Sequence, residues 1–490
     1  MPRIFSLIVF AFAFCGLLAQ HNIIPQPLSF KANNEVFLLN ENVGFKSSVS
    51  NSETNNFLKR QLGTITGYSF RNESNRNIWL VLLPHDSLRS SEGYFLSVKK
   101  DSILIRAFSE KGFAYGIQSL LILYDKNKNA FSGCEIFDEP QYAYRAMHLD
   151  VCRHFFGKEV VKQYIGLLAA LKMNTLHLHL TDDQGWRIEI KKFPKLTEVG
   201  AWRTEKDGSR YGGFFSQQDL KELVAFAAQR QVNIIPEIEI PGHSSAAIAA
   251  YPFLSCHGRQ IDVPNTWGIK RDIYCPTDST IQFLKNVLDE VCEIFPSPYI
   301  HIGGDEAPKA QWRQSDFVSK LKTEKGLKNF EAVQYYFMNE IEKHLAAKGR
   351  RAIGWGEAIK GGVSKDMIVM SWLSKAAGTK AMKLGNAAIM APRFYCYFDY
   401  PQSSKDKLHA IWMTQLPVKK VYRFIPAGRN FLQENKHLLL GGEATVWTEF
   451  ITNERQLLHQ VMPRLAAMSE ALWSKEKNYE DFLRRIDSLK

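Results

Sequence analysis

Several chemistries are missing from this sequence. Its seven cysteines include no Cys-x-x-Cys pair, and its 13 histidines show no metal-ligand spacing, so no zinc-ribbon or redox motif is present. No glycine-rich loop follows the first strand of the regular part of the chain, which removes the fingerprint of a doubly wound dinucleotide fold. Past the first twenty residues no apolar run is long enough to span a bilayer. Internal repeats and low-complexity tracts are absent. The formal charge of +12 comes from scattered lysines and arginines, not from a stripe or tail. It reads as a basic surface suited to anionic surroundings, and not as a nucleic-acid footprint.

What remains is an ordinary globular composition, 45% hydrophobic and 23% charged over 490 residues. That length suits one large barrel with a smaller partner. Residues 1–20 have the pattern of a signal peptide: Arg3, an apolar run over 4–19, then polar residues. Cleavage near Ala19 is expected, hence an exported protein, periplasmic or extracellular. Cys15 invites a lipid anchor, but the bulky Phe14 before it argues against one. Loss of the signal leaves Cys134, Cys152, Cys256, Cys275, Cys292 and Cys396. Cys256 and Cys275 bracket a polar loop and are the best-placed pair for a disulfide in an oxidising compartment. The others read as small buried apolar residues.

Residues 21–140 mix short strand-like runs with one helical pattern, "EKGFAYGIQSLLILYDK", and predict a small α+β domain. From 141 to 490 the pattern becomes regular. Strand candidates "YRAMHLDV", "NTLHLHLTDD", "VNIIPEIEIPGHS", "YIHIGGDE", "RAIGWGE", "MIVMSWL", "NAAIMAP" and "LLLGGEATVWTE" alternate with helical segments, one of them opened by Ser216 as a plausible N-cap. Eight such strands predict an α/β fold of the (β/α)8 TIM-barrel type, preceded by the small α+β domain.

In such a barrel the active site forms at the carboxyl ends of the strands. Nearly every strand candidate here delivers an acid, His, Arg, Trp or Tyr to that rim. Singly each is a weak signal, since a Trp is usually core and a lone acid usually caps a helix. Eight together are not. Trp355, Trp372, Tyr397 and Trp447 can wall a pocket for the apolar faces of a sugar ring, and carboxylates with Arg153 can hold hydroxyls. Aromatic walls plus acids, with no metal or phosphate motif, point to glycoside cleavage. Asp305 and Glu306 are adjacent, whereas the two carboxyls of an ordinary glycosidase flank the sugar from opposite sides. Asp305 is therefore expected to hold some other group of the substrate while Glu306 donates the proton.

The motifs "HLHLTDDQGWR", "PGHS", "HIGGDE", "YFDY" and "GGEATVWTE", in that order, resemble the glycoside hydrolase family 20 β-N-acetylhexosaminidases from about residue 21 to the end of the chain. The resemblance implies an exo-acting, retaining hydrolase of terminal β-linked GlcNAc or GalNAc, acting on oligosaccharides or glycoconjugates with no metal and no cofactor. The attacking atom is then the substrate's own 2-acetamido oxygen, and the intermediate an oxazolinium ion. By motif, Glu306 resembles the general acid and later base. Asp305 resembles the residue that orients the acetamido N–H and steadies its developing charge, and Tyr397 the donor to the acetamido oxygen. Arg153, Asp399 and Glu449 resemble the residues that bind ring hydroxyls. Trp355, Trp372 and Trp447 resemble the walls around the acetamido methyl. Asp182 and His243 look like support behind the acids, with Asp183 an alternative to Asp182. One departure is Glu239, where the family often has Asp two residues before Pro-Gly-His.

Overall fold

The computed structural model describes residues 21–487 apart from 50, 51, 73, 85, 87, 88, 407–409, 411, 412, 429, 430 and 432–434. The expected signal segment lies outside the described residues. Eight strands, Tyr144–Asp150, Thr175–His179, Asn233–Glu237, Tyr299–His301, Arg351–Trp355, Ile368–Ser371, Ala388–Met390 and Leu439–Ala444, close into a barrel. Every neighbouring pair is parallel, and the last strand pairs with the first through Gly441 to Ala444. The strands are buried along nearly their whole length. This is why they read as continuous apolar runs and not as alternating ones: helices cover their outer faces and side chains fill the barrel.

The helical periods become Lys158–Ala170, Gln217–Ala228, Asp278–Ile294, Phe330–Ala347, Ala376–Lys383 and Arg464–Trp473. Ser216 does cap its helix, in a reciprocal arrangement with Asp219. The fifth crossover departs from the ideal alternation. Between Trp355 and Ile368 the chain makes only a 3-10 turn, Gly356–Ile359, and a loop. Among the described residues no helix is long and apolar enough to cross a membrane.

Ahead of the barrel lies a mixed sheet in the order Ser29–Leu38, Ala130–Asp138, Tyr94–Val98, Ser102–Ala107, Arg76–Leu82, Val43–Ser47, with Tyr124–Asp125 on the flank of Ala130–Asp138. Helices Glu53–Thr66 and Glu110–Ile122 bury Leu58, Leu62, Phe113, Ile117 and Leu120 in one core with sheet residues such as Ile78, Leu96 and Ile105. Trp473, at the end of helix Arg464–Trp473, joins that core. At this seam Asp138 accepts from Trp473 Nε1 at 2.7 Å, Lys172 Nζ at 2.8 Å and Tyr94 OH at 2.8 Å. Beside it Arg145 pairs with Glu92 at 2.7 Å. Asp138, Lys172 and Arg145 are all fully buried, so the two bodies are joined by a desolvated ionic network and not by apolar packing alone.

Candidate active site

The fourth strand ends at His301, and the chain then turns sharply. Gly303 and Gly304 have φ of 66° and 105°. At Gly303 a Cβ would also meet Glu239 Oε2 at 1.8 Å, so both backbone sign and space demand glycine there. Glu306 itself sits at φ 42°, a left-handed conformation that a non-glycine residue holds only when its surroundings enforce it. Two side chains enforce it. Gln334 Nε2 donates to Gly304 O at 2.7 Å, and Lys309 Nζ donates to Ala307 O at 2.8 Å and to Gln334 Oε1. The strained turn faces Asp305 and Glu306 into a cavity of about 330 Å³.

That cavity gathers Glu306, Asp305, Tyr397, Arg153, Asp182, His243, Trp355, Trp372, Asp399, Trp447 and Glu449, all eleven residues singled out above. Glu239, Trp267, Arg393 and Tyr400 also line it. Trp372 and Tyr397 stack with centroids 6.1 Å apart and planes 22° from parallel. Trp355 Nε1 is fixed by Glu237 Oε1 at 2.8 Å, and Trp372 Nε1 by Glu357 Oε2 at 2.7 Å. With their N–H groups held from behind, both indoles have set ring planes.

Asp182 lies at the centre of the support. It accepts from Arg153 Nη2 at 2.9 Å and pairs with His179 Nε2 at 2.8 Å and with His243 Nδ1 at 3.2 Å. Burial would raise its carboxyl, but Arg153 and His243 hold it well below the usual range. His243 is buried too, yet Asp182 and the neighbouring acids push its imidazole well above the usual value. Its Nε2 lies 3.7 Å from both Asp305 Oδ2 and Glu306 Oε2. Asp183 divides its oxygens: Oδ2 lies 3.4 Å from His243 Nδ1, and Oδ1 accepts from Ser245 N at 3.0 Å and Ser245 Oγ at 2.6 Å, at the start of helix Ser245–Ala250. Of the two candidate aspartates, Asp182 alone lines the cavity. His243, Asp305 and Glu306 have ligand atoms within 4.8 Å of one another. A protonated imidazole offers a cation no lone pair, so this trio suits an ion-paired relay better than a metal.

Four more acids of the cavity share one property. Asp305 Oδ1, Asp399 Oδ1, Glu449 Oε2 and both oxygens of Glu239 are buried without a hydrogen-bond partner. Burial is the main cause that raises all four carboxyls; for Asp305 Glu306 adds, for Asp399 Glu449, and for Glu239 Asp305. Asp305 is brought up to about 7, against the pull of His243. Buried polar atoms are almost always paired. A set of acceptors aimed into one cavity is therefore a template for a ligand rich in N–H and O–H donors. The methylene that Glu239 has over Asp is accommodated by the bare Gly303 beside it.

Some of this machinery was not singled out from sequence. Asp150 accepts from Cys152 N, Arg153 N and Thr448 N at 2.7, 3.1 and 3.0 Å, which ties the first and last strand ends together. Glu237 sits in the barrel interior, pairs with His301 Nδ1 at 2.7 Å and hydrogen-bonds His179 Nδ1. The signal was there in "HLHL": His177 and His179 are two apart, so they face the same side of a strand, and the buried side here is the barrel interior.

Residues 142–476 match the model of the glycosyl hydrolase family 20 catalytic domain, and residues 20–139 match that of the family's domain 2. The chain is 39% identical over 410 residues to a β-hexosaminidase of Porphyromonas gingivalis, covering 81% of this chain and 53% of that protein, so it spans about half of that relative's length. It is 34% identical over 471 residues to a β-hexosaminidase of Vibrio furnissii, covering 92% of this chain and 76% of that one. Among solved structures, the family 20 exo-β-N-acetylglucosaminidase of Vibrio harveyi in complex with N-acetylglucosamine superposes with a TM-score of 0.85 at 32% identity, over 95% of this chain and 76% of that one.

Proposed function

The chain belongs to glycosyl hydrolase family 20, and on that premise we propose that it is an exo-acting, retaining β-N-acetylhexosaminidase that removes terminal β-linked GlcNAc or GalNAc from oligosaccharides or glycoconjugates. The observation that carries the reading is the set of unpaired buried acceptors, Asp305, Asp399, Glu449 and Glu239, converging with three indoles on one cavity.

The sugar's hydroxyls satisfy Asp399, Glu449 and Arg153, and its acetamido group lies among Trp355, Trp372 and Trp447. Tyr397 donates its hydroxyl to the acetamido oxygen and Asp305 accepts from the acetamido N–H. That oxygen attacks C1 as the glycosidic bond breaks, and Glu306 hands its proton to the departing oxygen. The positive charge that develops on the amide sits beside Asp305, whose carboxylate is stabilising only once that charge exists, which is how a site lowers a barrier. Glu306, now an anion, takes a proton from water, the water oxygen attacks C1, and the ring of the intermediate opens. Two inversions at C1 give net retention. His243, held by Asp182, lies beside both acids and balances their charge during the exchange. The amino-terminal twenty residues support export to the periplasm or beyond.

Glu306→Gln tests the acid role. Turnover of a β-N-acetylglucosaminide with a poor alkyl or sugar leaving group should fall by about 10²–10⁴, and a 4-nitrophenyl leaving group should suffer less. A cyclic thiazoline mimic of the intermediate should inhibit the wild type. Unchanged turnover of the poor leaving group, or indifference to the thiazoline, sinks the reading.

A further inference from the structure

A loop closed by a disulfide forms part of the cavity wall. Cys256 and Cys275 are joined across a separation of 19 residues, and the chain between them forms no helix or strand. The loop nevertheless contributes Trp267 and Ile269 to the cavity. Near its middle two side chains tie it to the barrel: Asn265 Nδ2 donates to Thr204 O at 2.7 Å, and Gln184 Nε2 donates to Thr266 O at 2.9 Å. Gln184 also faces the other way. Its Oε1 accepts from Arg153 Nε at 3.2 Å. Resting on the function proposed above, we propose that Gln184 is a positioning residue for sugar recognition. It couples the disulfide-closed loop to Arg153, so that an intact loop fixes the guanidinium that receives the terminal sugar's hydroxyls.

Gln184 sits in the turn between the short paired strands Thr181–Asp182 and Gly185–Trp186, so Asp182 and Gln184 reach Arg153 from one hairpin. The side chain is buried, at 2% exposed, and both ends of its amide are used. Only one placement of that amide serves both partners, because a guanidinium can only donate and a peptide carbonyl can only accept. Arg153 is thereby held at every nitrogen: Nε by Gln184, Nη1 by Asp150 at 3.4 Å and Nη2 by Asp182 at 2.9 Å. A planar fork pinned in this way keeps one N–H on each Nη for the sugar. Asp150 and Asp182 attract the charge at any tilt of the fork. Nε has a single N–H, so the bond to Gln184 is what sets the tilt. The loop bears on the same arginine a second time. Arg203 has its Cζ 5.3 Å from the Trp267 ring centroid and donates from Nη1 to Arg153 O at 2.7 Å.

The test is steady-state kinetics on 4-nitrophenyl N-acetyl-β-glucosaminide. Hydroxyls remote from the reacting atoms are held alike in the bound substrate and the transition state, so weakening that hold raises KM and leaves kcat nearly unchanged. Gln184→Ala should raise KM about tenfold, the scale of a lost hydrogen bond to a charged group. Arg153→Lys keeps the charge between the two aspartates but not the fork that Gln184 orients, so adding Gln184→Ala to it should raise KM no further. Gln184→Glu still accepts from Arg153 but cannot donate to Thr266 O. The double variant Cys256→Ser/Cys275→Ser opens the loop with Gln184 intact. Each of these should raise KM about threefold, as for one neutral hydrogen bond. Gln184→Glu is close to isosteric and decides the matter if melting curves show that Gln184→Ala does not fold. A wild-type KM in Gln184→Glu and in the opened loop overturns the proposal. So do increases in KM that multiply when Gln184→Ala is combined with Arg153→Lys, since Gln184 would then act independently of the arginine. If the wild type does not hydrolyse the glycoside, the proposed function itself has failed and this role falls with it. If it does and the variants keep its KM, only the coupling has failed.

Discussion

Asp138 and Lys172, at the seam between sheet and barrel, and Glu239 and Asp305, in the cavity, are all buried, Asp305 the least completely, but the two regions treat their charges in opposite ways. At the seam, both oxygens of Asp138 are occupied, by Leu28 N and Trp473 Nε1 on one side and by Tyr94 and Lys172 on the other. In the cavity, Asp182 is paired, but Asp305, Asp399, Glu449 and Glu239 lie beside other acids and keep bare oxygens. Folding gains nothing from the second arrangement, because an unpaired buried acceptor costs about 1–3 kcal/mol. The seam is organised to hold the protein together. The cavity carries a standing cost that only a donor-rich ligand removes, and this difference separates structural from functional charge in this chain.

The comparison can be broken most forcefully at the seam. Asp138→Ala leaves Lys172 as an uncompensated buried charge and strips Trp473 and Tyr94 of their acceptor. Urea unfolding should show a loss of about 3–5 kcal/mol, and a loss below 1 kcal/mol would mean the network is incidental. The cavity should respond with the opposite sign. Asp305 is raised to about 7 from an unfolded value of 3.8. The folded chain thus holds that proton more tightly than the unfolded one. Its stabilising effect is complete below about pH 4 and is lost as pH rises through about 7. Asp305→Asn should therefore stabilise the fold at pH 8 by on the order of 1–3 kcal/mol, with the gain shrinking toward zero by pH 4, as read from melts across that range. Asp182 behaves the other way. Its carboxyl is held well below the usual range, so its contribution is present above that range and is lost on acidification. The smallest effect is expected at Asp183, which belongs to the satisfied class although it adjoins Asp182. Asp183→Ala removes the acceptor for Ser245 N and Oγ and leaves His243 Nδ1 to Asp182 alone; it should cost about 0.5–2 kcal/mol, as for loss of a helix-start cap.

Much of this was legible in the sequence because the relevant signals are local. A parallel strand buried on both faces is an apolar run, and its end is marked where polar residues begin, so the eight rim segments could be read off one at a time. The paired glycines of "HIGGDE" were legible for the same reason: Gly303 needs its sign of φ within its own segment. Contacts between distant segments were not. The bond from Trp473 to Asp138 spans 335 residues, and neither end has a local pattern that names the other. Both Asp182 and Asp183 reach His243; what separates them is that Asp182 also holds Arg153 and lines the cavity while Asp183 also holds Ser245, and adjacent residues at a strand end carry no such label.

The fold leaves Asp305 Oδ1 without a partner, and the proposed mechanism fills that place with the substrate's acetamido N–H. The most direct measurement is kcat/KM of purified, folded Asp305→Asn on 4-nitrophenyl N-acetyl-β-glucosaminide at pH 8. The expected result is a loss of about 10²–10³, the scale of one lost electrostatic contact to a developing charge, in a protein that melts no lower than the wild type. Turnover within a few-fold of wild type would contradict it, because the bare carboxyl would then have been neither needed nor waiting for that group.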